Sequence, residues 1–142
     1  MRDACVLDTH AWIALMQDRE SLPRRARRFI QQGATLHVPD TCLREVALLW
    51  GSGRIGAFAA DMSPERWMRA ALASPCALAP ISPDIAVCSV ELGVEGFHRD
   101  PSDRIIYATA RVMGLPLITR DEKIHQFEKG LPRKAKRLAV WA

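Results

Sequence analysis

Five short apolar runs punctuate this chain: ACVLD (4–8), TLHVP (35–39), CALAPIS (76–82), LPLIT (115–119) and KRLAVWA (136–142). Between them lie stretches whose apolar residues recur at helical spacing. THAWIALMQ (9–17) reads as a helix, and PRRARRFIQQG as a second that opens on Pro23 and closes at Gly33. DTCLREVALLWGSG reads as a third, with Asp40 or Thr41 as N-cap and Leu43, Val46, Ala47 and Trp50 on one face. GSGRIG (51–56) is turn-like. SPERWMRAALAS follows with Ser63 as cap and Pro64 at the first position, then PDIAVCSVELG from Pro83. The last helices start at the HRDPSD stretch and at DEKIHQFEK (121–129). Strands that alternate with helices in this way specify an α/β fold with a mainly parallel five-stranded sheet covered on both faces. Right-handed crossovers leave few topologies for it.

The 142 residues fit one domain, 1–142, with a core large enough to need no staples. No repeat, low-complexity tract or linker interrupts them. Cys5, Cys42, Cys76 and Cys88 form no CxxC pair and have no histidine at zinc spacing. They read as reduced, mostly buried thiols, which places the protein in the cytoplasm. The first residues, MRDACVLDTHAW, carry no signal peptide, and no segment is long and apolar enough to span a membrane. A net charge of +4 and a pI of about 9.2 suit a polyanionic partner without requiring one.

The acids fall where such a sheet would gather them. Asp8 ends the first run and Asp121 follows the LPLIT run. Asp103 lies in the first turn of the helix leading into LPLIT, and Glu45 in the second turn of the helix after TLHVP. Parallel sheets bind ligands beyond the carboxyl ends of their strands, so four acids from four segments converge on one edge. Each has a bland reading by itself. Asp100, Pro101 and Asp103 make a helix-capping arrangement, Asp8 and Asp121 are turn or cap acids, and Glu45 is a solvated helix residue. Together they repel one another, and gathering them calls for a cation. Oxygen-only ligands with no histidine or cysteine suit Mg²⁺ or Mn²⁺.

VLDTHAWIAL, LREVALL, HRDPSDRIIYATA and LITRDEKI, in this order and spacing, resemble the four acidic motifs of the PIN domain. Within that family the chain is most similar to the VapC-type toxins of VapBC toxin–antitoxin systems. The resemblance covers nearly the whole chain. It implies a three-layer α/β/α sandwich with strand order 3-2-1-4-5 and an Mg²⁺- or Mn²⁺-dependent endoribonuclease. Carried over by position, the catalytic acids are Asp8, Glu45, Asp103 and Asp121, with metal held by Asp8, Asp103 and Asp121. Glu45 either binds a second ion or accepts a proton from water. Asp100 matches the first acid of the DPxDR motif and reads mainly as a cap. Thr9 and Thr119 match hydroxyl positions beside the acids, and His10 after DT is a mild departure.

RNA needs a positive approach to such a site. Arg24, Arg25, Arg27 and Arg28 form one basic cluster, and Arg133, Lys134, Lys136 and Arg137 another. Arg99, Arg104 and Arg120 flank the acids, where they either pair with them or steer phosphate. His10 and His98 are near the site but receive no role as general base, and Trp12, Trp50 and Trp67 read as core or interface. The resemblance further implies a small VapB-like antitoxin partner and a homodimer. For the dimer, the apolar segments Trp12–Met16 and Val46–Trp50 supply surface beyond what a small core needs. A haloacid-dehalogenase-type phosphotransferase would want a second Asp two residues after Asp8, where this chain has His10. A catalytically idle PIN-like module that binds RNA or protein would be marked by loss of an acid, and all four are present.

Overall fold

The computed structural model of the chain describes residues 4–54 and 61–141. Within them the elements alternate as β1 (Ala4–Leu7), α1 (Thr9–Gln17), α2 (Arg24–Gln31), β2 (Thr35–Pro39), α3 (Thr41–Gly51), α4 (Pro64–Ala71) and β3 (Cys76–Ala79). There follow α5 (Pro83–Val94), α6 (Pro101–Met113), β4 (Leu117–Ile118), α7 (Glu122–Lys129) and β5 (Ala139–Val140). A short 3₁₀ turn at Arg19–Ser21, which no apolar period signals, joins α1 to α2. The last two residues of the GSGRIG turn with the four after them (55–60), the N-terminal tripeptide and Ala142 lie outside the described residues.

All strand pairs are parallel and the order is β3-β2-β1-β4-β5. Cys5 and Val6 of the central strand are neighbours in sequence, so their side chains point to opposite faces. Both have no solvent exposure. The sheet is therefore covered on each side, which gives the α/β/α sandwich. Trp12, Leu36, Leu92, Ile106 and Tyr107 fill the core beside it. Trp12 packs 5.3 Å from Trp67, Trp67 packs 6.1 Å from Trp50, and the Trp12 indole donates to the Ala71 carbonyl at 3.0 Å. These tryptophans are packing residues, as expected.

The later strands are shorter than their apolar runs. β3 stops at Ala79 because Pro80 has no N–H to continue a ladder. LPLIT shrinks to β4, although its bonds reach one residue further each way. Val6 donates to the Pro116 carbonyl at 2.8 Å and Thr119 to the Val140 carbonyl at 3.0 Å. β5 is an edge strand paired only with β4, and KRLAVWA contributes just two residues to it. Pro23 precedes α2 as its cap residue rather than opening it.

Two side chains depart from their sequence readings in a way that matters. Asp40 stands at the N-cap of α3 without capping it; its carboxylate accepts instead from the Ile81 N–H at 2.9 Å, tying β2 to the loop after β3. Of the apolar segments assigned to a dimer, Trp12–Met16 is mostly used inside the monomer, whereas in Val46–Trp50 only Val46 is buried. Leu48 of the second segment stays 56% exposed, and α5 exposes more, with Val87, Val90 and Val94 at 58%, 71% and 90%. Each of the three larger burials of cysteine, at Cys5, Cys42 and Cys76, raises the thiol pKa, and the Cys5 thiol is pushed up to about 12. Inert thiols are what burial in an apolar core produces.

Candidate active site

Three helices begin at the same edge of the sheet, and each begins with an acid. Asp8 follows β1 and caps α1, accepting from the Ala11 N–H at 2.8 Å. Asp100 caps α6 through the Ser102 N–H at 3.0 Å. Asp121 follows β4 and caps α7 through the Lys123 N–H at 2.9 Å. The positive ends of three helix dipoles thus face one place. Asp103, in the first turn of α6, and Glu45, in the second turn of α3, complete the set. Asp8, Thr9, His10, Glu45, Asp100, Asp103, Ile106, Arg120 and Asp121 line a single cavity of about 380 Å³. Capping and gathering are therefore not alternatives: a cap occupies one carboxylate oxygen and leaves the residue at the cavity wall.

The hydroxyls named from sequence orient the acids. Thr9 donates to Glu45 Oε1 at 2.7 Å, linking the start of α1 to α3. The Asp121 N–H donates to Thr119 Oγ1 at 3.0 Å, and the Thr119 hydroxyl proton favours ionised Asp8. Burial works the other way. It raises the pKa of Asp8, which is 8% exposed, and the charge of Asp121 adds to the rise. Asp103 is pushed up to about 6, first by burial and then by the neighbouring charges of Asp100 and Asp121; its bond to His98 opposes the rise. Among the described residues, no Lys or Arg comes within ion-pair distance of any acid in the cavity.

His98 is the residue that sequence reasoning passed over. Its Nε2 lies 2.7 Å from Asp103 Oδ2. His98, Asp103 and Asp121 each present a donor atom within 4.8 Å of the other two. The ring is held by its neighbours: Phe97 stacks on it at 4.5 Å, and its Nδ1 is buried with no partner. An unpartnered buried nitrogen costs on the order of 1–3 kcal/mol, so this placement is maintained against a penalty. The only signal for it in the sequence is its position just before the Asp100–Asp103 turn.

Arg104 does not flank the acids as a pairing or phosphate-steering group. Its Nε and Nη2 donate to the carbonyls of His98 and Phe97 at 2.8 and 2.9 Å, so it acts on the site through the backbone that carries His98. That path exists because residue 93 is glycine: a Cβ there would come within 2.7 Å of the Arg104 guanidinium. Arg120 does line the cavity, exposed and close to Trp141. Of the basic clusters, Arg24, Arg25, Arg27 and Arg28 are all exposed on α2. Arg137 is spent locally on the carbonyls of Leu131, Pro132 and Ala135.

The donor set fits a divalent cation. Several carboxylates converge without a Lys or Arg partner among the described residues, burial penalises the charge of Asp8 and Asp103, and oxygen atoms with one imidazole suit Mg²⁺ or, better, Mn²⁺. Asp103 and Asp121 are in the compact set with His98, and Asp8 lines the same cavity.

Residues 5–130 match the family model described as the PIN domain. The chain belongs to the PIN domain family. Solved structures share its fold at low identity. A toxin–antitoxin complex from Klebsiella pneumoniae is 24% identical over 96% of each chain, with a TM-score of 0.61. VapBC-1 from nontypeable Haemophilus influenzae is 22% identical over 90% of this chain and 94% of that one, with a TM-score of 0.61. DNA-bound VapBC from Salmonella typhimurium is 20% identical over 87% and 91%, with a TM-score of 0.60. No curated protein sequence is significantly similar to this PIN chain.

Proposed function

We propose that this PIN protein is a divalent-metal-dependent endoribonuclease and the toxin of a VapBC-type toxin–antitoxin pair. The observation that carries the reading is the cavity itself: acids from β1, α3, α6 and β4 meet in one opening of about 380 Å³ with no Lys or Arg paired to them among the described residues. Asp8, Asp103 and Asp121 would hold Mg²⁺ or Mn²⁺. When bound, such an ion lowers the pKa of a coordinated water and neutralises phosphate oxygens.

The chain's own residues do the rest. Thr9 fixes Glu45, which is thereby placed to take a proton from water or to bind a second ion. The Thr119 hydroxyl holds the start of α7, where Asp121 sits. His98 orients Asp103. Arg120, exposed at the rim, attracts backbone phosphate, and the arginines of α2 extend that attraction. Solved structures similar to this chain include VapBC and toxin–antitoxin complexes, which supports a small antitoxin as partner. The valines of α5 are the surface that best suits pairing with a second copy. No described helix is long and apolar enough to cross a membrane, which agrees with action in the cytoplasm.

RNA incubated with the purified protein should be cut when Mg²⁺ or Mn²⁺ is supplied and left intact in EDTA. Cleavage that is equal in EDTA would overturn the metal-dependent reading. Metal-replete protein that binds RNA and never cuts it would indicate an idle module.

A further inference from the structure

A second, smaller cavity adjoins the acidic one. It measures about 190 Å³, and its walls include His10, Ile13, Ala14, Asp18, Arg120 and Trp141. His10 and Arg120 line both cavities, so the two are contiguous. Its apolar part comes from Ile13 and Ala14 on the side of α1, and its aromatic part from Trp141, directly after β5. The Arg120 guanidinium lies 5.9 Å from the centre of the Trp141 ring, at the outer limit of cation–π range. Trp12, Trp50 and Trp67 pack on one another, whereas Trp141 has no ring partner among the described residues.

The chemistry of this wall is specific. The cavity is smaller than those that enclose drug-sized ligands, which run from about 300 to 1,000 Å³. It combines an indole, a planar cation and apolar surface, with Asp18 and His10 able to bond the edge of a flat ring. Single-stranded RNA is commonly gripped in this manner, by stacking bases on aromatic rings or guanidinium planes while the backbone runs past cations. A base carries a π-face and polar edges, and its attached phosphate is what Arg120 would meet at the boundary with the acids.

We propose that this cavity is a nucleobase subsite: the base next to the phosphate to be cut stacks against Trp141 and Arg120, and its backbone passes Arg120 into the acidic cavity. The proposal rests on the ribonuclease reading and adds where the strand is gripped.

The test is done in EDTA at low salt, so that binding is read without cleavage. Anisotropy is measured for an end-labelled all-adenine RNA of about eight nucleotides, within the usual span of single-strand sites, and for an abasic strand of equal length. Wild type should prefer the RNA with bases. Trp141→Ala should weaken that binding on the order of 5- to 100-fold and change binding of the abasic strand by less than about twofold. Trp141→Phe keeps a π-face and should stay within a few-fold of wild type. Ala14→Phe fills the cavity from α1 with Trp141 in place and should reproduce the loss, which carries the test if Trp141→Ala fails to fold in melting experiments.

A wild type that binds the two strands equally overturns the subsite. So does a Trp141→Ala protein that binds as wild type does, or one that loses both strands alike. Cleavage with Mn²⁺ is measured in parallel. Cleavage without any dependence on Trp141 removes the subsite and leaves the nuclease. Base binding that depends on Trp141, in a wild type that never cuts RNA, supports the subsite and removes the nuclease.

Discussion

Among the described residues two places bury carboxylates, and they are built on opposite principles. Glu128 of α7 is 4% exposed and saturated with donors: the Tyr107 hydroxyl at 2.7 Å, the Leu138 N–H at 2.6 Å and the Ala139 N–H at 3.1 Å. It ties α6 and α7 to the edge strand. The acids at the carboxyl end of the sheet have one cap bond each at Asp8, Asp100 and Asp121 and a side-chain partner in Thr9 for Glu45, Thr119 for Asp8 and His98 for Asp103, and their remaining oxygens face one another across an open cavity. A buried acid with its donors supplied by the protein stabilises the fold. Acids that converge with too few donors weaken it, and the missing partner comes from outside. Burial alone therefore does not distinguish a structural acid from a functional one; the source of its partners does.

Charge removal should separate the two most strongly. Asp103→Asn should lower RNA cleavage by at least about a hundredfold, some 2.7 kcal/mol of lost transition-state stabilisation. The metal-free variant should melt at or slightly above the wild-type temperature, since repulsion from Asp100 and Asp121 is relieved. Cleavage assays beside metal-free melts check both halves. An equal loss of stability and activity would make Asp103 a structural acid like Glu128.

Glu128→Gln should show the reverse. Its amide replaces an accepting oxygen with a donor facing the Leu138 and Ala139 N–H groups. The cost should be about 1.5–3 kcal/mol, or a melting temperature lower by roughly 4–10 °C. Below that temperature, its gain in stability on adding Mn²⁺ should equal that of wild type.

Proton uptake sharpens the same contrast. Asp103 ordinarily titrates near 3.8 and is raised to about 6 in the fold, with Asp8 raised in the same direction. Between those values the folded protein binds more protons than the unfolded chain, so the stability from these groups grows as pH falls through about 6 and is lost as pH rises. Metal-free protein should gain stability from this source between about pH 7 and pH 5, while its affinity for Mn²⁺ declines because ligands must be ionised. Asp103→Asn should flatten both trends in a series of melts. The smallest effect belongs to Asp100→Asn. Asn caps a helix about as well as Asp, so stability should change by no more than about 0.5 kcal/mol and much of the activity should remain.

The alternation of strands and helices and the convergence of the acids were legible because they follow from rules that act over short stretches, whereas the strand order 3-2-1-4-5 came from the resemblance to the PIN domain. Apolar runs flanked by helical periods give a parallel sheet, and its carboxyl edge gathers whatever follows each strand. Asp8, Asp100 and Asp121 could be placed from their positions alone. His98 could not: it sits in a loop without period, and its contact with Asp103 depends on Arg104 threading over Gly93 to reach two carbonyls. Glu128 reads as one more polar residue in EKIHQFEK, because its donors come from Tyr107 and β5, which are distant in sequence. Trp141 gained its meaning only when β5 brought it beside Arg120. What eluded sequence was in each case a tertiary partner.

The most direct measurement is the melting temperature of wild type, Asp103→Asn and Glu128→Gln with and without Mn²⁺. At ten times its dissociation constant the ion should stabilise wild type by about 1.4 kcal/mol, roughly 3–6 °C for a chain of this size. Glu128→Gln should start lower and gain the same increment, and Asp103→Asn should gain far less. An undiminished increment in Asp103→Asn, or none in wild type, would contradict a metal site at the carboxyl edge of the sheet.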